Sequence, residues 1–271
     1  MATIRRGYMD SSLGQIHYRY TGTGEALLLL HQSATSSVAY EPIMQHLAAN
    51  YSTIAMDTPG FGLSDYPKAK LNIAQYADIV VEFMDAMSIA TANVFCFHTG
   101  ASIACELAAG FPSRVSKLIL NGAPCVTQPE EGQNRLNKVF KLVLPKDGSE
   151  GVGYVQKLWD YLLHETPPDK TLDIENLHTE LVWRLKAGPR AFEAYDAVFT
   201  YDMTARLPSI QAPTLVLAAE ADTLGSLVDR TASLVKKSQK QIIPNATNFM
   251  MYQNPERLAG IIHDFLSNSS V

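Results

Sequence analysis

Nine residues near the middle of the chain, Val94 to Ser102 (Val-Phe-Cys-Phe-His-Thr-Gly-Ala-Ser), constrain the fold more than any other stretch. An apolar run of strand-forming residues stops abruptly in small residues. Ile103, Leu107 and Phe111 then recur at spacings that share one helix face. The segment predicts a strand, a sharp turn and a helix in immediate succession.

Elsewhere the pattern is of strands separated by helices. Residues 3 to 21 predict a hairpin turning at Ser11 to Gly14, with Ile16, Tyr18 and Tyr20 alternating against His17 and Arg19. Glu25 to Leu30 is almost continuously apolar, as expected of a strand buried on both faces. A helix is predicted over 38–49, with Ser36 or Ser37 as its cap, and strands over Tyr51–Met56 and Val115–Leu120. Asn72 to Met87 predicts a long helix that places Ile73, Tyr76, Val80, Met84 and Met87 on one face. Residues from about 126 to 206 are helical in pattern and rich in aromatics: Trp159, Tyr161, Trp183, Phe192, Tyr195 and Phe199. A last strand, Gln241 to Ile243, leads to a final helix opening at Pro255-Glu256.

Four of these stretches resemble the α/β-hydrolase family. The loop Asp57-Thr58-Pro59-Gly60-Phe61-Gly62-Leu63-Ser64-Asp65 matches that family's D-x-P-G-x-G-x-S-D at nine consecutive positions. The Val94 to Ser102 stretch resembles its nucleophile elbow, G-x-S-x-G, in which small residues flank a reactive side chain on a strained turn at the end of a sheet strand. Leu207 to Leu217 resembles the strand by which the family's core resumes. Asn245 to Phe249 aligns with its G-A-G-H-F segment. The resemblance implies an α/β fold: a mostly parallel sheet with helices on both faces, a core of residues 1–125 and 207–271, and a helical cap over 126–206.

At the site the chain departs from that family. The family's elbow helix continues as Ile-Ala-x-Glu-Leu-Ala to an aromatic-Pro pair, and here Ile103 to Ala108 leads to Phe111-Pro112. Counting back puts His98 at the nucleophile position, with Cys96 and Gly100 as the small flanks. The alternative register, with Thr99 at the tip, places bulky Phe97 where a small residue is needed. Asp222 fits the triad acid, with Glu220 as a structural neighbour, and Asn248 stands where the catalytic base belongs. His31-Gln32-Ser33 replaces the family's His-Gly-x, so Gln32 brings an amide where glycine offers only backbone. The resemblance implies backbone N–H donors of Ser33 and Thr99 as an oxyanion hole. His31 reads first as a buried, hydrogen-bonded histidine at a strand end, and the pocket is expected to have His31 or Gln32 on its wall and Cys125 nearby.

Asparagine accepts no proton at neutral pH and no serine stands at the elbow, so ordinary serine-esterase chemistry is not expected. Three readings remain. His98 is a catalytic base or nucleophile positioned with Asp222 and Asn248, acting on a small, largely apolar carbonyl or ester-like substrate. Alternatively the site binds a small molecule without turning it over, as a receptor-like relative of hydrolases. In the third reading His31 and His98, with Asp222 or Glu220, hold a metal, but neither histidine lies in a short ligand motif, and no metal or other cofactor is expected. His17, His46, His164, His178 and His263 are expected at the surface or in packing.

Composition narrows the partners. A net charge of −5 with no basic run argues against nucleic acid and suits an uncharged or cationic small molecule. No apolar run reaches bilayer length and none follows the basic Arg5-Arg6, so neither a membrane span nor a secretory signal is expected. Cys96, Cys105 and Cys125 have no metal-ligand spacing and cannot all pair, which suits a reducing cytoplasm.

Overall fold

The computed structural model describes residues 2–127, 129–140, 149, 151–164 and 172–268. The chain opens as a hairpin, β1 (Arg5–Ser11) and β2 (Gly14–Thr21), closed at Gly14, whose φ of 112° is open to glycine alone at little cost. β3 (Glu25–Leu30) follows, then α1 (Glu41–Leu47), β4 (Tyr51–Met56) and α2 (Ile73–Ala86). β5 (Ala92–Phe97) runs into α3 (Thr99–Gly110), and β6 (Val115–Asn121) comes next. Between β6 and the return strand lie α4 (Pro129–Phe140), α5 (Gly151–His164), α6 (Ile174–Ala187), α7 (Ala191–Thr200) and α8 (Met203–Arg206). β7 (Thr214–Ala219), α9 (Val228–Leu234), β8 (Ser238–Ile243), α10 (Met250–Gln253) and α11 (Pro255–Ser267) complete the chain. Parts of the expected cap, 128, 141–148, 150 and 165–171, lie outside the described residues, as does the side chain of His164.

The eight strands form one sheet in the order β1-β2-β4-β3-β5-β6-β7-β8. β1 and β2 pair antiparallel, β2 joins β4 antiparallel, and every later pairing is parallel. Strand alternation divides the core in two. Leu28, Leu30, Val94 and Cys96 enter the layer beneath α2 and α3, while Leu27, Leu29, Phe95 and Phe97 enter the layer beneath α1 and α11. The four leucines of β3 are essentially inaccessible to solvent, and each burial stabilises the fold by about 2 kcal/mol.

Two elements differ from the sequence expectation. The helix predicted over 38–49 is a 3-10 turn, Ser37–Tyr40, followed by α1. Pro42, which lacks an N–H, suits the first turn of a helix, so the α-helix begins beside it. β8 begins three residues earlier than predicted: Ser238, Gln239 and Lys240 pair with Thr214, Leu215 and Val216, but at a sheet edge their side chains stay polar.

The elbow lies where the sheet is deepest. α3 starts directly over the end of β3, and a Cβ added at Gly100 would collide with the Leu30 carbonyl oxygen. That close approach, available only to glycine, fixes the direction in which His98 leaves the sheet.

Candidate active site

His98 is the single residue between β5 and α3, held at φ 47° and ψ −107°. A non-glycine side chain persists there only because both flanking elements are fixed by burial. Its N–H donates to the Asn121 carbonyl at 3.1 Å, and its own carbonyl accepts from Ala101 and Ser102, which ties the turn at both ends.

From that tip the imidazole crosses the end of β6 and meets Asp222 beyond β7. His98 Nε2 lies 2.9 Å from Asp222 Oδ1 and 3.1 Å from Oδ2. An ionised carboxylate only accepts, so Nε2 is the donor toward Asp222. Nδ1 has no hydrogen-bond partner among the described residues. Asp222 is itself oriented, its Oδ1 accepting the Leu224 N–H at 2.7 Å. The Phe97 ring lies against the imidazole, centroids 3.9 Å apart. The side chain of Asp222 is wholly buried, whereas that of His98 is 20% exposed, into a cavity.

Gly122 makes the crossing possible. A Cβ there would lie 2.5 Å from both His98 Cδ2 and Asp222 Oδ2, and Gly122 has φ 58°. The sequence reading passed over this glycine, whose only signal was an Asn-Gly pair at the end of a predicted strand.

The cavity measures about 900 Å³. Its floor is Gln32, Ser33, His98 and Thr99, with Asn248 and Phe249 on one side and Thr223 and Leu224 on the other. Its roof comes from the helical segment between β6 and β7, where Tyr161, Tyr195, Val198 and Phe199 face the floor and Glu131, Arg135, Lys138 and Arg184 bring charge. Of the six aromatics that the sequence singled out there, Tyr161, Tyr195 and Phe199 line the cavity. The charged wall of α4 was not anticipated, since a run of exposed helical charges has the same sequence pattern as an ordinary solvated face.

The expected oxyanion donors are arranged unequally. The N–H of Thr99 heads α3, before any helical carbonyl can receive it. The N–H of Ser33 already donates to the Thr99 hydroxyl at 3.2 Å, so that hydroxyl stands between Ser33 and the cavity. The Ser33 carbonyl accepts from Tyr195 Oη at 2.8 Å, joining α7 to this loop.

His31 and Cys125 lie off the cavity wall. His31 Nδ1 donates to the Gln32 carbonyl at 2.8 Å and Nε2 accepts from the Thr58 N–H at 3.0 Å, which consumes both nitrogens. Burial lowers its pKa, so the ring stays neutral, and neither nitrogen is available to a metal. Among the described residues no three His, Cys, Asp or Glu side chains are grouped to hold one. Cys125 is buried, and burial raises its thiol and that of Cys96, and pushes Cys105 up to about 12, so none is a ready thiolate.

Residues 25–148 match the family model described as alpha/beta hydrolase fold. The enol-lactonase from Burkholderia xenovorans LB400 superimposes with a TM-score of 0.83 at 19% identity, over 97% of this chain and 100% of that one. The chain has the α/β-hydrolase fold. Across 98% of its length this chain is 25% identical to 2-hydroxy-6-oxononadienedioate/2-hydroxy-6-oxononatrienedioate hydrolase 2 of Pseudomonas putida, covering 96% of that protein. It is 30% identical over 139 residues to an uncharacterized protein of Mycobacterium tuberculosis, and the match takes in 39% of that protein's length. Among the described residues of this α/β-hydrolase fold, no helix is long and apolar enough to cross a membrane.

Proposed function

We propose that this chain is an enzyme in which a His98–Asp222 dyad acts as general base on a small carbonyl or ester-like compound. The observation that carries this reading is the 2.9 Å contact between His98 Nε2 and Asp222 Oδ1, made by an imidazole that rises from the elbow into the cavity. The acid and imidazole of a hydrolase triad are both present, but the imidazole comes from the nucleophile's position, and Asn248 takes the place of the usual base. Hydrolase names among the full-length relatives, such as the Pseudomonas putida protein, support an enzyme over a pure binder.

The chemistry follows from the parts. Nδ1 of His98 takes a proton from a bound water or from a carbon beside a carbonyl, and the imidazolium formed is stabilised by Asp222. Negative charge building on the carbonyl oxygen is received by the Thr99 N–H, with the Thr99 hydroxyl as a second donor held in place by Ser33. Water attack, carbon–carbon cleavage and elimination all use this apparatus. The roof between β6 and β7 serves as a cap that excludes bulk water.

The test is a turnover screen of the pure protein on small esters, lactones and β-diketones. His98→Ala is expected to lose about 10³-fold in kcat while retaining its fold. A serine-directed fluorophosphonate is expected to leave the protein unlabelled. Full turnover by His98→Ala would overturn the assignment, and tight binding without turnover by the wild type would replace it with the receptor-like reading.

A further inference from the structure

Gln32 and Ser33 combine a fixed backbone with uncommitted side chains. The Gln32 carbonyl accepts from His31 Nδ1 at 2.8 Å. The Ser33 N–H donates to the Thr99 hydroxyl, and the Ser33 carbonyl accepts from Tyr195. The side chains are different. Gln32 is 4% exposed and Ser33 6% exposed, and both line the cavity. Gln32 Oε1 and Ser33 Oγ are buried, and neither has a hydrogen-bond partner among the described residues.

Buried polar atoms without partners are costly, and where they line a cavity a ligand can complete them. An amide that is left open beside a catalytic base presents an acceptor and a donor along one edge. A ligand that offers only acceptors, such as a plain ester or lactone, would leave Oε1 unmatched. One that carries an N–H or O–H beside its carbonyl matches both ends, as the amides of asparagine and glutamine do when they read an adenine edge.

We infer that the substrate of this site is a carbonyl compound bearing a hydrogen-bond donor next to the carbonyl, a lactam N–H or an α-hydroxyl or enol O–H, read by the Gln32 amide with help from Ser33 Oγ. The inference rests on the proposed site of action, with His98 set against the same carbonyl. It separates specificity from catalysis: Gln32 selects the donor and His98 moves the proton. A site built to bond an N–H or O–H discriminates strongly against the analogue that lacks it, because the protein's own polar group is then stranded.

Three probes of one shape test this at equilibrium: coumarin, a lactone without a donor; 2-quinolone, which differs by an N–H for the ring oxygen; and 3-hydroxycoumarin, which adds an O–H beside the carbonyl. Dissociation constants are measured by calorimetry on the full chain. At least one donor-bearing probe is expected to bind about tenfold more tightly than coumarin, equivalent to about 1.4 kcal/mol, and which of the two does so distinguishes lactam from hydroxy-carbonyl. Gln32→Leu is expected to bring that ratio close to one. Gln32→Glu, which keeps acceptor oxygens and guards against a folding defect in the leucine variant, is expected to retain it. Equal binding of all three probes, no binding of either donor-bearing probe, or an unchanged ratio in a folded Gln32→Leu would overturn the inference. His98→Ala is expected to keep the ratio while losing turnover, so a ratio without any proton chemistry would refute the dyad and leave the recognition standing.

Discussion

Two His–Asp pairs of nearly equal length lie in this molecule, in different surroundings. His17 Nδ1 sits 2.8 Å from Asp57 Oδ2, and His98 Nε2 sits 2.9 Å from Asp222 Oδ1. In the first pair both side chains are inaccessible to solvent, His17 at 1% and Asp57 at 0%, and the carboxylate is filled by its neighbours. Asp57 also accepts the N–H groups of Ser37 and Leu63, which pins the loop of residues 57–65 to the end of β4. In the second pair the acid is equally buried, but the imidazole opens on a cavity, whereas the second nitrogen of His17 is enclosed in the core. The two pairs thus share distance and residue type, and under the proposed function what sets the second apart is the access of its imidazole to the cavity.

Matched substitutions break the comparison most sharply. Asp222→Asn is expected to lower kcat about 10³-fold, because an amide can hold the imidazole in the wrong tautomer, while the urea midpoint stays nearly unchanged. Asp57→Asn is expected to leave the dyad intact and to cost about 3 kcal/mol of stability, since it breaks a buried ionic hydrogen-bond cluster. Activity and urea titration of both variants check the pair. If the two losses were interchanged, the division between scaffold and site would be wrong.

Gly122→Ala tests the second pair without touching either partner. The new Cβ would meet His98 and Asp222 at 2.5 Å in a backbone conformation that alanine resists, so the ring must swing off the acid. Turnover is expected to fall about 10²-fold, and the chemical shift of the His98 ring proton is expected to move from its wild-type value. A purely structural glycine would alter stability and leave that chemical shift in place.

The smallest effect is thermodynamic and belongs to the first pair. Burial alone would raise the Asp57 carboxyl, but hydrogen bonds from His17, Ser37 and Leu63 help to hold it down at about 2, against an ordinary 3.8. A folded-state pKa below the unfolded value means that the stabilisation is complete above about pH 4 and is lost as the pH falls toward 2. It amounts to about 2 kcal/mol. His31 acts in the same direction from about pH 6.5 downward, because its buried ring is kept neutral when folded and gains a proton on unfolding. Urea midpoints between pH 7 and pH 2.5 are expected to decline through both windows, and the lower decline is expected to vanish in Asp57→Asn.

Much of the fold was legible in the sequence, because the signals that carry it are local. Continuous apolar runs such as Leu27 to Leu30, the small residues around His98 and the Pro and Gly of the 57–65 loop each act through backbone geometry within a few residues. The polar start of β8 was not legible, because pairing across a sheet edge leaves no apolar signature. In the site, the residue types at positions 98, 222 and 248 spoke against a serine triad and offered an imidazole and an acid in its place. That His98 bonds directly to Asp222, over a glycine that lies between them in space but not in sequence, required the sheet to bring three strand ends together. The loop of residues 31–33 divides along the same line: the sequence alone put an amide at position 32, while tertiary packing decided that the Ser33 N–H is taken by Thr99 and that the Gln32 and Ser33 side chains remain open. Local chemistry is written in residue identity, but which polar groups are left without partners depends on every element that packs around them, and that is settled only when the chain is folded.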